Sequence, residues 1–216
     1  MKKLTEAEAT NALGAFLRVR MEEGRKSAGA LVVEEAPGVS ELISKSVRFI
    51  SGDPENGKRG QALVAAALDL VFKDVRTTRV YDPSRHWPGD VVAYENDAVL
   101  VSVEVKQRPA TETELLQFVE RCAQMGVQRA MAALLDPDQP LIEVEELLET
   151  AWQRHGVHLS ILMGAGAVLY ETLTWTVKPL ATALSELPLL MAARLEELEA
   201  TAEGRAAWAA LFKARG

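Results

Sequence analysis

Residues 88–106 read Pro88-Gly89-Asp90-Val91-Val92-Ala93-Tyr94-Glu95-Asn96-Asp97-Ala98-Val99-Leu100-Val101-Ser102-Val103-Glu104-Val105-Lys106. Two mostly apolar, β-branched runs flank a polar tip, which is the signature of a β-hairpin. Side chains alternate along a strand. Ser102, Glu104 and Lys106 therefore share one face, and Val101, Val103 and Val105 share the other. Taken alone, Glu104-x-Lys106 describes an amphipathic strand with its polar side in water. Asp90 changes that reading. With a three-residue tip, Glu95–Asp97, Tyr94 opposes Ala98 and Asp90 opposes Ser102. Asp90 and Glu104 are then diagonal neighbours on one face, with Cβ atoms about 7–8 Å apart. A two-residue tip would turn Asp90 onto the valine face unless a β-bulge restored the register. The expectation is an odd tip or a bulge.

Outward from the hairpin, the pattern predicts an α/β chain. Residues 60–74 carry Leu63, Ala66, Ala67, Leu70 and Val71 at helical spacing, and their alanines permit close packing on a sheet. Thr77 to Tyr81 reads as a strand and Asp82-Pro83-Ser84-Arg85 as a turn. Thr111 to Met125 reads as a helix with Thr111 and Glu114 in a capping box. Strands at 129–135 and 158–163 bracket a helix at 144–154. Upstream, helices are expected at 5–24 and at 40–50, the second capped by Ser40. Residues 180–212 read as mostly helical with a break near Pro188. The order implies a mixed β-sheet flanked by helices. It divides into an N-terminal helical segment (1–56), a core (57–165) and a mostly helical C-terminal extension (166–216). Gly164-Ala165-Gly166 lacks the third glycine of a dinucleotide turn and reads as a plain turn. His155 and His158 have no third ligand nearby and do not make a zinc site.

The hairpin residues suit one chemistry. Hydrolysis of a phosphodiester requires an activated water and compensation of charge on the phosphate. Two carboxylates, Asp90 and Glu104, can hold Mg²⁺, a hard cation that accepts oxygen donors and lowers the pKa of a bound water. Lys106 can orient that water and offset developing charge. Without a cation, two adjacent buried carboxylates repel.

The Asp90…Glu104-x-Lys106 set follows a helix and a strand and precedes a helix, and in this it resembles the PD-(D/E)xK nuclease superfamily. More narrowly, residues 57–135 resemble SacI-type restriction endonucleases. The resemblance is carried by Leu63-Val64-Ala65-Ala66-Ala67-Leu68-Asp69, by Asp82-Pro83-Ser84-Arg85-His86-Trp87-Pro88-Gly89-Asp90-Val91, by Val103-Glu104-Val105 and by Leu116-Gln117-Phe118-Val119. It extends weakly from about residue 20 to the C-terminus and covers the catalytic region, not the long N-terminal region those enzymes carry. It implies a restriction-endonuclease-like core in which Asp90, Glu104 and the Val105 carbonyl ligate Mg²⁺, Lys106 is the catalytic lysine and Gln117 lines the site. An additional acid would come from Glu34, Glu35 or Asp69, since Gln61 occupies the early part of the preceding helix. The implied activity is Mg²⁺-dependent cleavage of double-stranded DNA in restriction or phage defence. The implied partners are double-stranded DNA, a second copy of the chain, and a cognate methyltransferase or larger defence complex.

The bulk properties agree with a cytoplasmic protein of this kind. The 216 residues carry a net charge of −7, with 48% hydrophobic and 25% charged residues. No apolar stretch is long enough to span a bilayer, the N-terminus lacks a signal-peptide core, and the single Cys122 excludes an internal disulfide. An acidic chain does not simply coat nucleic acid, but the stretch from Lys58 to Arg108 carries eight Lys and Arg against seven acids, two of them in the expected site, which is compatible with a locally basic cleft. Lys58, Arg59, Arg85, His86 and Arg108 are the expected DNA contacts, positioning the backbone without reading sequence. Trp87 is either a base-stacking residue or a loop anchor. The C-terminal stripe Leu184, Leu187, Met191, Leu195 and Leu198 is core or a dimer contact. Two other readings remain: a catalytically idle module that binds DNA or a partner, and a structure-specific repair nuclease on the same core.

Overall fold

The computed structural model describes residue 33 and residues 36–78 and 87–212. The expected helix at 5–24, most of the strand at 77–81, the turn at 82–85, and Glu34, Glu35, Arg85 and His86 lie outside these residues.

Five strands form one mixed sheet in the order β1-β2-β3-β4-β5. They are β1 (Asp74–Thr77), β2 (Val91–Glu95), β3 (Ala98–Lys106), β4 (Arg129–Leu134) and β5 (His158–Met163). β1, β2 and β3 pair antiparallel, while β3, β4 and β5 pair parallel. The parallel strands are joined by helices, as such connections require. Helices cover both faces, giving the α/β architecture the sequence implies.

One face carries α1 (Val39–Gly52), α2 (Lys58–Asp69), α5 (Gly164–Trp175), α6 (Leu180–Glu197) and α7 (Ala202–Ala210). Here Val91, Ala93, Val101, Val103, Met131 and Ala133 meet Leu63, Ala66, Leu187 and Leu195 in a single core that runs from Leu42 to Phe212. α2 is buried along Arg59–Leu68, and its alanines let it lie close to both the sheet and α6. The other face carries α3 (Glu112–Gln124) and α4 (Val144–His155), packed through Leu115, Phe118, Val119, Cys122 and Leu147 on Ala130, Ala132 and Leu134.

Local sequence explains several boundaries and corrects others. α3 starts with the expected capping box: the Thr111 hydroxyl accepts from the Glu114 N–H, and the Glu114 carboxylate accepts from the Thr111 N–H. Ser40 caps nothing, because α1 begins one residue earlier, after Gly38. Gly164-Ala165-Gly166 is not a turn but the start of α5, with Gly164 at φ +82°. That positive φ makes a sharp strand-to-helix junction that glycine adopts without cost. Pro188 lies inside α6 without ending it, and the Trp208 indole N–H donates to its carbonyl at 2.9 Å. Proline removes one helical N–H, but the burial of Leu184, Leu187, Met191 and Leu195 on both sides of it holds the helix. The break falls instead between α6 and α7, where Glu199 has φ +54°.

The strand expected at 77–81 begins earlier, at Asp74, and the helix before it stops at Asp69. Arg194 of α6 accounts for this junction. Its guanidinium holds both Asp69 carboxylate oxygens at 2.6 and 2.8 Å and also donates to the Val75 carbonyl at 2.8 Å. One side chain thereby ties the end of α2 to the start of β1. Both partners are largely shielded, with 12% and 16% of their side-chain surface exposed. Removing one member of a buried ion pair leaves the other uncompensated. Arg194→Ala is expected to cost about 3 kcal/mol, read as a lower midpoint in urea unfolding.

Candidate active site

The hairpin keeps the required parity by a different route from the three-residue tip. Glu95 pairs with Ala98, so the tip is the two residues Asn96-Asp97. Both have positive φ, +50° and +63°, the backbone that two-residue hairpin tips favour and that Asn and Asp tolerate. The register then shifts: Tyr94 faces Val99 but Ala93 faces Val101, leaving Leu100 as the extra residue of a β-bulge. Beyond the bulge, Val92 faces Ser102 and Val91 faces Val103. The bulge restores the face that a two-residue tip alone would have lost.

Asp90 sits just before β2 and is fixed against β3 on both sides of Glu104. Its N–H donates to the Val103 carbonyl at 2.8 Å, and its Oδ2 accepts from the Val105 N–H at 2.8 Å. Its own carbonyl is turned away, accepting from the Thr78 N–H at 2.9 Å and from Gln61 Nε2 at 2.9 Å. Gln61 is buried on α2 and also donates to the Thr78 carbonyl at 2.6 Å. The position where the resemblance would allow an acid thus holds an amide that clamps the backbone of Asp90.

Pro88-Gly89 makes this approach possible. Both are buried, and a Cβ on Gly89 would meet Ser102 Oγ and lie 2.6 Å from the Val103 carbonyl oxygen. Only glycine lets the chain pass this close to β3.

The polar face of β3 is not in water. Ser102 is fully buried and Glu104 is 5% exposed, whereas the amphipathic reading placed both in solvent. The valine face is core, with Val101 and Val103 buried among α2 residues. Glu104 Oε1 accepts from Lys106 Nζ at 2.7 Å. Its Oε2 is buried without a hydrogen-bond partner, and the Arg121 guanidinium of α3 lies 3.7 Å from it. Beside them, burial pushes the Cys122 thiol up to about 12, and the Glu104 charge adds to this while Arg121 opposes it. Cys122 is therefore a protonated wall of the site, not a nucleophile.

The remaining expected residues divide. Gln117 is exposed on α3, one turn before Arg121 and so on the same side of the helix. Arg108 is exposed but ion-paired with Glu114. Lys58 Nζ donates to the Glu199 carbonyl at 2.8 Å. Arg59 is buried and bonded to Glu55 and to the Phe49 carbonyl, with its guanidinium over the Phe49 ring. Asp69 belongs to Arg194, on the opposite face of the sheet from Glu104. Trp87 packs edge-on to Tyr94, with ring centroids 6.2 Å apart, and Arg76 stacks on the same Tyr94 ring. This is a loop anchor. Sequence reasoning missed Arg121, although its four-residue spacing from Gln117 on a capped helix could have flagged it.

Among the described residues no group of three or more His, Cys, Asp or Glu converges on one point. The carboxylates that the hairpin brings to one face of the sheet are those of Asp90 and Glu104. Among the described residues no helix is long and apolar enough to cross a membrane.

Sequence comparison returns the same neighbourhood. The chain is similar to the type II restriction enzyme SacI of Streptomyces achromogenes. Identity is 26% over 202 residues, covering 93% of this chain and 55% of that enzyme. The chain thus spans about half the length of the curated relative it matches. No protein-family model matches it.

Two outcomes follow from this geometry. Gly89→Ala is expected to destabilise the fold by about 2 kcal/mol, because the colliding atoms include β3 backbone; chemical denaturation measures it. Glu114 is held down to about 2, first by Arg108 and then by the Thr111 N–H. An acid lowered on folding stabilises above its ordinary pKa and loses that contribution as pH falls through the folded value. The α3 cap is therefore fully in place above about pH 4.5 and is lost toward pH 2. Following the Glu114 carboxyl carbon by NMR should show titration near 2 in the wild type and a clearly higher value in Arg108→Ala.

Proposed function

We propose that this chain is a Mg²⁺-dependent endonuclease of restriction type acting on double-stranded DNA, with Asp90, Glu104 and Lys106 as its catalytic set. The observation that carries this reading is the buried Glu104 carboxylate. One of its oxygens is bonded to Lys106, the other lacks a hydrogen bond, and Asp90 is locked alongside. Unsatisfied buried oxygens are rare in folded proteins and call for an explanation. A hard divalent cation supplies one, since carboxylate and carbonyl oxygens are its preferred donors. Asp90 and Glu104 would hold it, with the Val105 carbonyl as a further oxygen. The similarity to SacI supports the same chemistry and substrate.

Mg²⁺ bound here would polarise the phosphodiester and lower the pKa of an attacking water. The chain's residues do the rest. Asp90 is prevented from swinging by the Val105 N–H, so the carboxylates are pre-positioned. Lys106 Nζ, 2.7 Å from Glu104, carries the positive charge that can orient the water and offset charge building on the phosphate. Gln117 stands at the rim of α3 as a polar contact to the substrate backbone. Arg108 can contribute a phosphate contact by exchanging Glu114 for DNA, and Arg85 and His86 precede Asp90 in the chain as further contacts. Two copies would cut both strands of a symmetric site.

Incubation of supercoiled plasmid with the protein and Mg²⁺ tests this. The wild type should linearise DNA into discrete bands and fall silent with chelator. Asp90→Ala and Lys106→Ala should each lower the rate by on the order of 100-fold or more. Mg²⁺-dependent cutting that persists in both variants rejects the site. A folded wild type that cuts nothing but retards DNA in a gel identifies a binding module instead, and a smear on branched or damaged DNA identifies a repair nuclease.

A further inference from the structure

Arg121 lies in the last turn of α3, and its guanidinium reaches toward the buried Glu104. We infer that Arg121 is a positioning residue that occupies the Glu104 carboxylate when no cation is present and yields it when a divalent cation binds. The inference rests on the proposed function.

Three observations carry it. The Arg121 Nη2 lies 3.7 Å from Glu104 Oε2, close enough to compensate charge but outside hydrogen-bond distance. That same oxygen is the one with no hydrogen-bond partner. Glu104 is 7% exposed along its side chain while Arg121 is 43% exposed. The acid is therefore fixed and the base has solvent to move into. Lys106 differs, being 18% exposed and hydrogen-bonded to the other oxygen at 2.7 Å.

Formal charges give the direction. Asp90 and Glu104 contribute two negative charges, and Lys106 and Arg121 two positive ones. Without a cation the cluster is balanced. Adding a divalent cation leaves an excess of two positive charges at short range, and the most mobile of them is repelled. The Arg121 guanidinium carbon lies 5.9 Å from the centroid of the Phe118 ring, and with 43% of its side chain exposed the group has room to swing outward. There it meets the phosphodiester backbone, the anion that restores the balance. Arg121 thus holds the empty site together and opposes cation binding until DNA is present.

The test uses Mg²⁺ alone, titrated calorimetrically into the full chain without DNA. Arg121→Met removes the charge and keeps an unbranched side chain, while Arg121→Lys keeps the charge. Arg121→Met should bind Mg²⁺ about fivefold or more tightly than the wild type, with the gap narrowing at high salt, while its KM for DNA rises. Arg121→Lys should match the wild type in Mg²⁺ affinity. Equal or weaker binding by Arg121→Met, at an unchanged melting temperature, overturns the inference, as does equal tightening in both variants. Should Arg121→Met melt early, Arg121→Gln takes its place under the same criteria. A wild type that neither binds Mg²⁺ nor cuts DNA defeats the underlying reading; a wild type that does both, beside an unresponsive Arg121→Met, defeats this inference alone.

Discussion

The Val103 carbonyl and the Val105 N–H, the two backbone groups flanking Glu104, both bond to Asp90. The strand ladder would have met them with backbone from β2. Asp90 meets one with its N–H and the other with its side chain, and so frees its own carbonyl for Thr78 and Gln61. The arrangement depends on the missing Cβ of Gly89, which lets the chain descend onto β3. Pro88, Gly89 and Asp90 thus form one device: the first two bring the backbone in, and the third locks it beside Glu104. Gln61 secures the device from α2, so the helix that packs on the valine face also sets the acid on the other face.

Burying Glu104 works against stability. A carboxylate removed from water is costly unless charges and hydrogen bonds compensate it. Lys106 and Arg121 compensate only in part, since one oxygen keeps no hydrogen bond. A core built for stability alone would carry an apolar residue there, as Val103 and Ala132 do on either side. Places where a sequence breaks its own packing rules are where function is sought. Ser102, equally buried one pair along the strand, adds to the same anomaly.

Strand alternation made Asp90, Glu104 and Lys106 a single-face set in the sequence, and the capping box fixed the start of α3. The means of achieving parity was not legible. Asn96-Asp97 suits a tip of two residues or part of a longer one, and Leu100 as a bulge residue looks like any other apolar strand position. The burial of Glu104 was hidden because it depends on where α3 comes to rest, a tertiary matter. The same cause misdirected the basic residues. Lys58 and Arg59 are neighbours of the hairpin in the chain, but their partners Glu199, Phe49 and Glu55 come from α1, the turn after it and the α6–α7 connection. Asp69 looked available until Arg194 arrived from 125 residues away.

These commitments narrow where DNA-directed charge can reside. A net charge of −7 means that the surface as a whole repels a polyanion, so local cations must overcome it. Arg59 is enclosed, Lys58 is tied to a backbone carbonyl, Arg76 is paired with Asp74, and Arg108 is paired with Glu114. Among the described residues, Lys106 and Arg121 are the cations that lie against Glu104, an acid that the proposed reaction would itself engage. Their positive charge is masked by Glu104 and is uncovered when that carboxylate is taken by a cation. On the proposed reading, part of the affinity for the phosphate backbone would be created at the site, by the same event that completes it. Under the proposed function, an acidic chain would thereby gain hold of DNA at the place where it cuts.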